Sequence, residues 1–374
     1  MVAFRDSDGR AGLLQERCPH RGASLFFGRN EEGGLRCLYH GWKMDVDGKI
    51  LDTPCEPLES MMKHHVRAMA YPTVERGDVV WAYLGPIEKQ PPFPEYWWMT
   101  LPTTQRTVGK IDYACNYLQG IEGTTDSAHT PILHSGFAQL HWSEEQIREA
   151  ERRTGVSTDI HPGYDMDDTP FGFRYASTRA DPTDPARKLV RVTPVVLPFS
   201  VYLVDVPHMF VPADDEHPWL FDVRTRSGRP VDRERALANR GERVGVDLTP
   251  DHRKLRNLQN NYLQDRQAMR ERREDWSYSG IPWGKPHQDM LVTESMGPIY
   301  DRQGEHPGVH DVVVMRLREV MLAALHRFMD TGEVPAQDRS IRWDRIVGEV
   351  RSIPIDAPWD TIEVYAGDVP VEVR

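Results

Sequence analysis

Two groups of residues in this chain have the types and spacing that metal chemistry needs. The first is the stretch Asn116 to His134, NYLQGIEGTTDSAHTPILH. At a helical step of about 100° per residue, Gln119, Glu122, Asp126 and His129 fall on one polar stripe. Such a stripe is ordinarily a solvated face. Here it ends in two histidines five residues apart, with Pro131 between them. Pro131 excludes regular helix at that point and pushes Thr130 toward an extended shape. The expectation is His129 on the last helical turn and His134 returning from the following loop. Two neutral imidazoles converging in this way are two ligands of a mononuclear metal. One carboxylate more completes the 2-His-1-carboxylate face, which leaves positions open for oxygen on iron(II). Dozens of acids follow His134, and their chemistry alone does not choose among them.

The second group lies near the N-terminus, CPHRG at Cys18 to Gly22 and CLYHGW at Cys37 to Trp42. The pattern is Cys-x-His, sixteen residues, then Cys-x-x-His. Structural zinc also takes two Cys and two His, but its half-sites usually space their ligands by at least two residues, and Cys18-x-His20 is tighter. In a Rieske cluster the two thiolates (Cys18, Cys37) hold one iron and the two imidazoles (His20, His40) hold the other. Each loop must then reach both irons, which these two spacings permit. Gly22 and Gly41 lack side chains, so their backbone N–H groups are expected to approach the cluster sulfurs. The plain alternative is four scattered residues in a β domain.

The elements that must carry these groups differ along the chain. From Val2 to Tyr83 short strands alternate with the turn signals Asp8-Gly9, Gly33-Gly34 and Asp47-Gly48. GPIEKQPPFPEYWW, Gly85 to Trp98, reads as a connection whose Tyr96, Trp97 and Trp98 pack between domains. KLVRVTPVVLPFSVYLVDVPHMFVP reads as a pair of strands broken by proline that can wall a pocket. The Arg- and Asp-rich segment from Arg229 to Asp275 reads as a solvated helical region, and VVVMRLREVMLAALHRFMD as a long amphipathic helix with its Met residues in the core. The expected division is residues 1–88 and 89–374. A net charge of −11 leaves no basic surplus for nucleic acid. No apolar run is long enough to span a bilayer and MVAFRDSDGR is not a signal peptide, so the expected location is the cytoplasm. Four cysteines do not make a disulfide framework, and Cys55 and Cys115 read as ordinary thiols. No GxGxxG follows a strand, so the nicotinamide cofactor should bind elsewhere.

CPHRG…CLYHGW resembles the Rieske motif of ring-hydroxylating oxygenases, and EGTTDSAHTPILH resembles their mononuclear-iron motif. HRGASLFFGRNEEGGLRCLYHGWKMDVDG, NNYLQDRQAMRERRE and HQDMLVTESMGPIYDRQGEH resemble the phthalate 4,5-dioxygenase group of large subunits. The likeness runs from about Val2 to Asp311. It implies an α+β protein: a small all-β Rieske [2Fe-2S] domain, entered after its early strands, then a catalytic domain with a curved antiparallel sheet and flanking helices. Asp289 matches the family's aspartate ligand, with Glu294 five positions on; Asp301 is the runner-up, more naturally a partner of Arg302.

Asp126, three residues before His129, can accept that ring's other N–H. The resemblance implies that it also contacts a cluster histidine of a neighbouring subunit. It further implies a homotrimer or stacked trimers, with electrons passing from NAD(P)H through a separate flavin and iron–sulfur reductase to the cluster and then to mononuclear Fe(II). The implied reaction uses O₂ to hydroxylate an aromatic compound, an aryl carboxylate such as phthalate, with aromatic O-demethylation as the alternative. Arg174 and Arg191, near the pocket strands, can pair with such a carboxylate. A pure electron carrier would leave the catalytic-domain residues and the His129/His134 pair without a role.

Overall fold

The computed structural model describes residues 1–136, 143–147, 160–181, 183–204, 206–271 and 277–362. It divides into two units, Met1–Phe93 and Pro94–Arg374.

The first unit is built of short antiparallel strands. β1 (Val2–Arg5), β2 (Ala11–Leu14) and β7 (Ala70–Tyr71) form one sheet. A second contains β3 (Arg29–Glu31), β4 (Gly34–Arg36), β5 (Lys43–Met44) and β6 (Ile50–Asp52), and β8 (Thr73–Arg76) pairs with β9 (Val79–Ala82). Leu14, Leu25, Met44 and Ile50 fill its core together with Cys18, Cys37 and Trp42. The two Cys–His loops are therefore rooted in packed hydrophobic structure. Each follows a strand, Cys18 four residues after β2 and Cys37 directly after β4.

The second unit is organised on an antiparallel sheet of eight strands. β10 (Arg106–Asp112), β16 (Pro218–Thr225), β15 (Val206–Pro212), β14 (Ser200–Leu203), β13 (Arg187–Val196), β12 (Gly172–Ala180) and β11 (Gly163–Thr169) follow one another, and β17 (Glu349–Pro354) also pairs with β13. The stretch read as two strands thus makes three. Pro194 lies within β13, where that edge changes partner from β17, paired through Val192, to β14, paired from Val195. A missing N–H there loses no ladder bond to either.

On one face of the sheet, Ile111, Phe173, Tyr175, Val195, Val201 and Phe210 meet side chains from helices. The helices among the described residues include, in chain order, α1 (Met62–His65, in the first unit), α2 (Tyr117–Thr125), α3 (Thr130–Leu133), α4 (Arg233–Arg240), α5 (Arg266–Glu271), α6 (Lys285–Ser295) and α7 (Val312–Thr331). Ile121 of α2, Met290 of α6 and Leu317 of α7 are the buried contacts, each worth about 1.5–3 kcal/mol of burial. Gly120 lets α2 seat on the sheet, because a Cβ there would lie 2.4 Å from the Phe210 ring. This packing carries α2 and α6, the two helices of the metal motif, onto the same sheet face.

Three sequence expectations change. Tyr96, Trp97 and Trp98 are buried, and Tyr96 packs on Tyr202 and Trp343 inside the second unit, with ring centroids 5.5 and 5.4 Å away. The Arg- and Asp-rich segment is not simply solvated: Arg240 is buried against Glu242 and against Asp222 of β16, Asp247 against Arg256, and Lys254 against Glu294 of α6. These charges face partners, while others of the segment, such as Arg233 and Asp251, are exposed, and its residues 272–275 lie outside the described residues. Of the α7 methionines, Met321 packs on the core while Met329 is exposed.

Candidate metal centres

Asn116 opens α2 by accepting the Leu118 N–H at 3.0 Å, an N-cap that its short polar side chain suits. The helix stops at Thr125, with Asp126 as its C-cap. His129 and His134 then flank α3, which has Pro131 in its first turn. Proline does not bar helix here as the sequence suggested. In a first turn it has no intrahelical N–H bond to lose. One helical turn therefore separates the two histidines and brings their rings to 5.4 Å, nearly perpendicular.

Asp289 reaches the same point from the second turn of α6, a helix that begins with Pro286 in its first turn. Its Oδ1 lies 3.2 Å from His134 Nε2 and 3.4 Å from His129 Nε2. The three ligand atoms fall within 4.8 Å of one another, and no other such group of three occurs among the described residues. The remaining ring nitrogens are engaged: His129 Nδ1 is 3.2 Å from Asp126 Oδ2, and His134 Nδ1 is 2.6 Å from Gln288 Oε1. With each Nδ1–H donated to an oxygen, both Nε2 lone pairs face Asp289. Asp289 Oδ1 is buried without a hydrogen-bond partner. Three electron-pair donors aimed at one point, one of them an unsatisfied carboxylate oxygen, fit a divalent cation.

Without a cation between them, the two carboxylates favour a proton on His129 in its place. Burial opposes charge on His129, but Asp126 and Asp289 outweigh it and push the ring up to about 9. Burial likewise opposes charge on Asp289, and His134 and His129 overcome it, holding the carboxyl well below its usual range. A bound cation would displace the His129 proton.

Gln288 is the residue that sequence reasoning missed. It is fully buried, and its amide donates to the Ile281 carbonyl at 2.7 Å, which fixes the oxygen toward His134. Its position beside Asp289 was visible; its partner was not. Glu294 faces away from the centre and anchors α6, accepting from Ala114 N, Tyr262 Oη and Lys254 Nζ. Asp301 caps the turn Arg302–Gly304 instead of pairing with Arg302, whose guanidinium goes to Glu122. Gln119 ties α2 to Thr293, Gly297 and Tyr300. Both Gln119 and Glu122 are thus packing residues.

In the first unit the two Cys–His loops share one hydrogen-bond plan despite their different spacing. Cys18 N–H donates to Ala23 O and Gly22 N–H to Cys18 O, both at 2.8 Å. Cys37 N–H donates to Trp42 O at 2.8 Å and Gly41 N–H to Cys37 O at 3.1 Å. Gly22 and Gly41 both lie in the left-handed region, φ 73° and 74°, so each closes its turn. Their N–H groups bond within the loop rather than reaching for cluster sulfur as expected. Arg36, another residue not singled out beforehand, braces the second loop by donating to Gly41 O at 2.6 Å.

The His20 and His40 rings are 4.5 Å apart, and Trp42 stacks on His20 at 4.7 Å. Desolvation, then His20 and Arg21 nearby, lowers His40 toward the neutral form a ligand needs. Burial raises the Cys18 thiol, and Cys37 beside it adds to that. Iron binding would remove those protons. Two thiols and two imidazoles on matched loops are a donor set that fits a Rieske cluster. Of the other cysteines, Cys55 is exposed and Cys115 buried, with burial pushing its thiol up to about 12.

Residues 1–63 match the Rieske [2Fe-2S] domain, and residues 82–366 match the family described as LigXa C-terminal domain like. The chain belongs to the Rieske non-haem iron ring-hydroxylating oxygenases. The phthalate 4,5-dioxygenase oxygenase subunit of Pseudomonas putida is 38% identical, over 93% of this chain and 81% of that subunit. The 3-chlorobenzoate-3,4-dioxygenase oxygenase subunit of Comamonas testosteroni is 33% identical, over 90% and 79%. The crystal structure of dicamba monooxygenase bound to dicamba has the same fold, with a TM-score of 0.55 over 88% of this chain and 90% of that one, at 15% identity. The oxygenase accordingly carries a Rieske [2Fe-2S] cluster and a mononuclear iron. It is the oxygenase component of a system that needs O₂ and a separate reductase. Among the described residues, no helix is long and apolar enough to cross a membrane.

The two arginines offered as carboxylate partners part company. Arg174 pairs with Asp167 at 3.0 Å and lies over the Trp359 ring, so it is structural. Arg191 is buried, donates to Ser127 Oγ, and keeps a buried Nε without a partner.

Proposed function

We propose that this oxygenase hydroxylates an aromatic carboxylic acid such as phthalate. In this reading His129, His134 and Asp289 hold the iron, and Cys18, Cys37, His20 and His40 hold the cluster. When bound, the mononuclear iron supplies O₂ activation, and the cluster supplies electrons from the reductase. The chain's own contribution is to fix the ligand rings through Asp126 and Gln288, hold the aromatic acid beside them, and keep water out.

The observation that carries the substrate class is a polar patch on the inner face of the sheet. Tyr175 and Ser177 of β12 stand opposite Thr193 and Arg191 of β13, and Tyr164 of β11 stands opposite Ser177. In each of these five residues a buried polar atom has no partner: Tyr164 Oη, Tyr175 Oη, Ser177 Oγ, Thr193 Oγ1 and Arg191 Nε. Leaving a buried donor unsatisfied costs about 1–3 kcal/mol, more for a charged one. A buried guanidinium with four hydroxyl side chains on the same face of neighbouring strands, two residues in sequence from His129 through its Ser127 contact, suits a carboxylate. A trimer is proposed for the assembly: Asp126 spends Oδ1 on Ala128 N–H at 2.7 Å and Oδ2 on His129, and its remaining lone pairs can accept a cluster histidine of the next subunit.

The test is a turnover screen with a surrogate reductase, pairing aromatic acids with their methyl esters and scoring product against peroxide. The reading expects acids to be hydroxylated and esters to be poor substrates. In protein brought to full mononuclear-iron occupancy, Arg191→Met should raise KM for the acid by about 10- to 150-fold, the loss of one charged hydrogen bond of about 1.5–3 kcal/mol. Equal use of acid and ester by the unaltered protein would refute the carboxylate subsite. Formaldehyde from methoxylated acids would point to O-demethylation instead.

A further inference from the structure

The residue between Asp126 and the rest of the iron motif, Ser127, is completely buried and receives two arginines. Its carbonyl accepts from Arg179 Nη2 at 2.8 Å and from Thr130 Oγ1 at 2.8 Å. Its hydroxyl accepts from Arg191 Nη2. Arg179 is only 2% exposed and Arg191 6%. They come from adjacent strands and the same sheet face, since Arg191 stands opposite Ser177 and Arg179 lies two residues beyond Ser177 on β12.

Two buried guanidiniums converge on one serine, one at its carbonyl and one at its hydroxyl. The arrangement supplies directional constraint. One hydrogen bond leaves a peptide free to rotate about it, whereas donors from two strands, one on the carbonyl and one on the side chain, fix orientation as well as position. The peptide held in this way lies between the acceptor Asp126 and the ligand His129, in a site where errors of about half an ångström matter.

We propose that Arg179 and Arg191 act together as a positioning clamp on Ser127, setting the place of His129 Nε2 and of the Asp126 carboxylate in the metal centre. They do so through the backbone and touch neither group. The proposal rests on the reading of His129 as a metal ligand, and it does not depend on the substrate.

The experiment uses full-length, cluster-loaded protein in which cobalt(II) replaces the mononuclear metal, with no substrate present. Ser127→Ala removes one anchor, Ser127→Thr retains the hydroxyl, Arg179→Lys alters the other anchor, and Arg174→Lys is a control on the same strand. Ser127→Ala and Arg179→Lys should each bind cobalt about tenfold more weakly, at the lower end of the loss typical for outer partners of a ligand, with a changed d–d absorption spectrum. Ser127→Thr and Arg174→Lys should match the unaltered protein.

If the Ser127→Ala and Arg179→Lys proteins melt earlier yet keep the original cobalt affinity and spectrum, the arginines are merely structural and the clamp is refuted. Should Arg179→Lys fail to accumulate, the Ala and Thr variants of Ser127 decide the matter. Absence of a cobalt spectrum in the unaltered protein, or its survival in His129→Ala, would instead overturn the metal reading. A failed screen of aromatic acids would leave the clamp standing.

Discussion

Replacing Gln288 by leucine keeps the side chain's bulk inside α6 and removes two hydrogen bonds at once. His134 Nδ1 loses its acceptor at 2.6 Å, and the Ile281 carbonyl loses its donor at 2.7 Å. Loss of an outer partner of a metal-binding histidine typically weakens metal binding 10- to 100-fold, about 1.4–2.8 kcal/mol. The orphaned carbonyl adds a separate cost to folding, about 1–3 kcal/mol, because Gln288 is wholly buried and water cannot substitute. For a domain of this size that is a Tm lower by roughly 2–12 °C. Gln288→Glu separates the two effects, since it retains an acceptor for His134 while losing the donor to Ile281. Cobalt(II) titration of protein stripped of its mononuclear metal, followed by thermal melts, measures both quantities. The leucine variant should lose affinity and stability, and the glutamate variant stability alone. A leucine variant that melts early but binds cobalt as tightly as the parent would refute the role assigned to Gln288.

Three further outcomes are expected. Asp289→Ala should lose the mononuclear iron while Asp301→Ala keeps it and loses about 0.5–2 kcal/mol of stability as a cap, so equal iron in the Asp289 variant and the parent would contradict the ligand set. Burial, with Arg240 nearby, pulls His208 from 6.5 down to about 3, against the opposing pull of Asp222. Between those values the unfolded chain binds a proton that the folded chain refuses, so His208 makes stability fall as pH drops from about 6.5 toward 3, by at most about 1.4 kcal/mol per pH unit. Melts of His208→Gln across that window should fall less steeply than those of the parent, and parallel curves would refute this. Finally, Cys37→Ala and His134→Ala proteins, each inactive, should regain activity when co-expressed, and adding Asp126→Ala to the Cys37 variant should abolish it. Well-mixed oligomers that stay inactive would mean that electrons travel within one chain.

What could be read from the sequence was what depends on near neighbours in the chain. The Cys-x-His and Cys-x-x-His loops announce themselves because four unusual ligand types fall within a short span, and the strand-and-turn pattern around them is equally local. The His129/His134 pair was legible as a pair, but the reason they meet was misread: Pro131 starts a helical turn instead of preventing one. Asp289 was found by resemblance, since among so many acids only the packing of α6 against α2 selects it. Gln288, Arg179 and Ser127 carried no signal. Their roles arise from contacts across the fold, such as that between Arg179 and Ser127. The left-handed run at Asn261, Tyr262 and Leu263 was hidden for the same reason, because Tyr262 is held there by its bond to Glu294 at 2.5 Å. Charge-rich sequence was the least reliable guide, as the buried Arg240–Glu242 pair illustrates.

On the proposed reading, this chain places oxygen from O₂ on an aromatic acid at an iron that a Rieske cluster supplies with electrons. The most direct measurement reduces the purified protein anaerobically, removes the reductant, and adds ¹⁸O₂ with an aromatic acid for a single turnover. Mass spectrometry should find the hydroxylated acid carrying ¹⁸O, at no more than about one product per mononuclear iron, while the Rieske signal returns to its oxidised form. A cluster that reoxidises while the acids tested in the screen, phthalate included, stay unlabelled, in protein holding only the two cluster irons per chain, would contradict it.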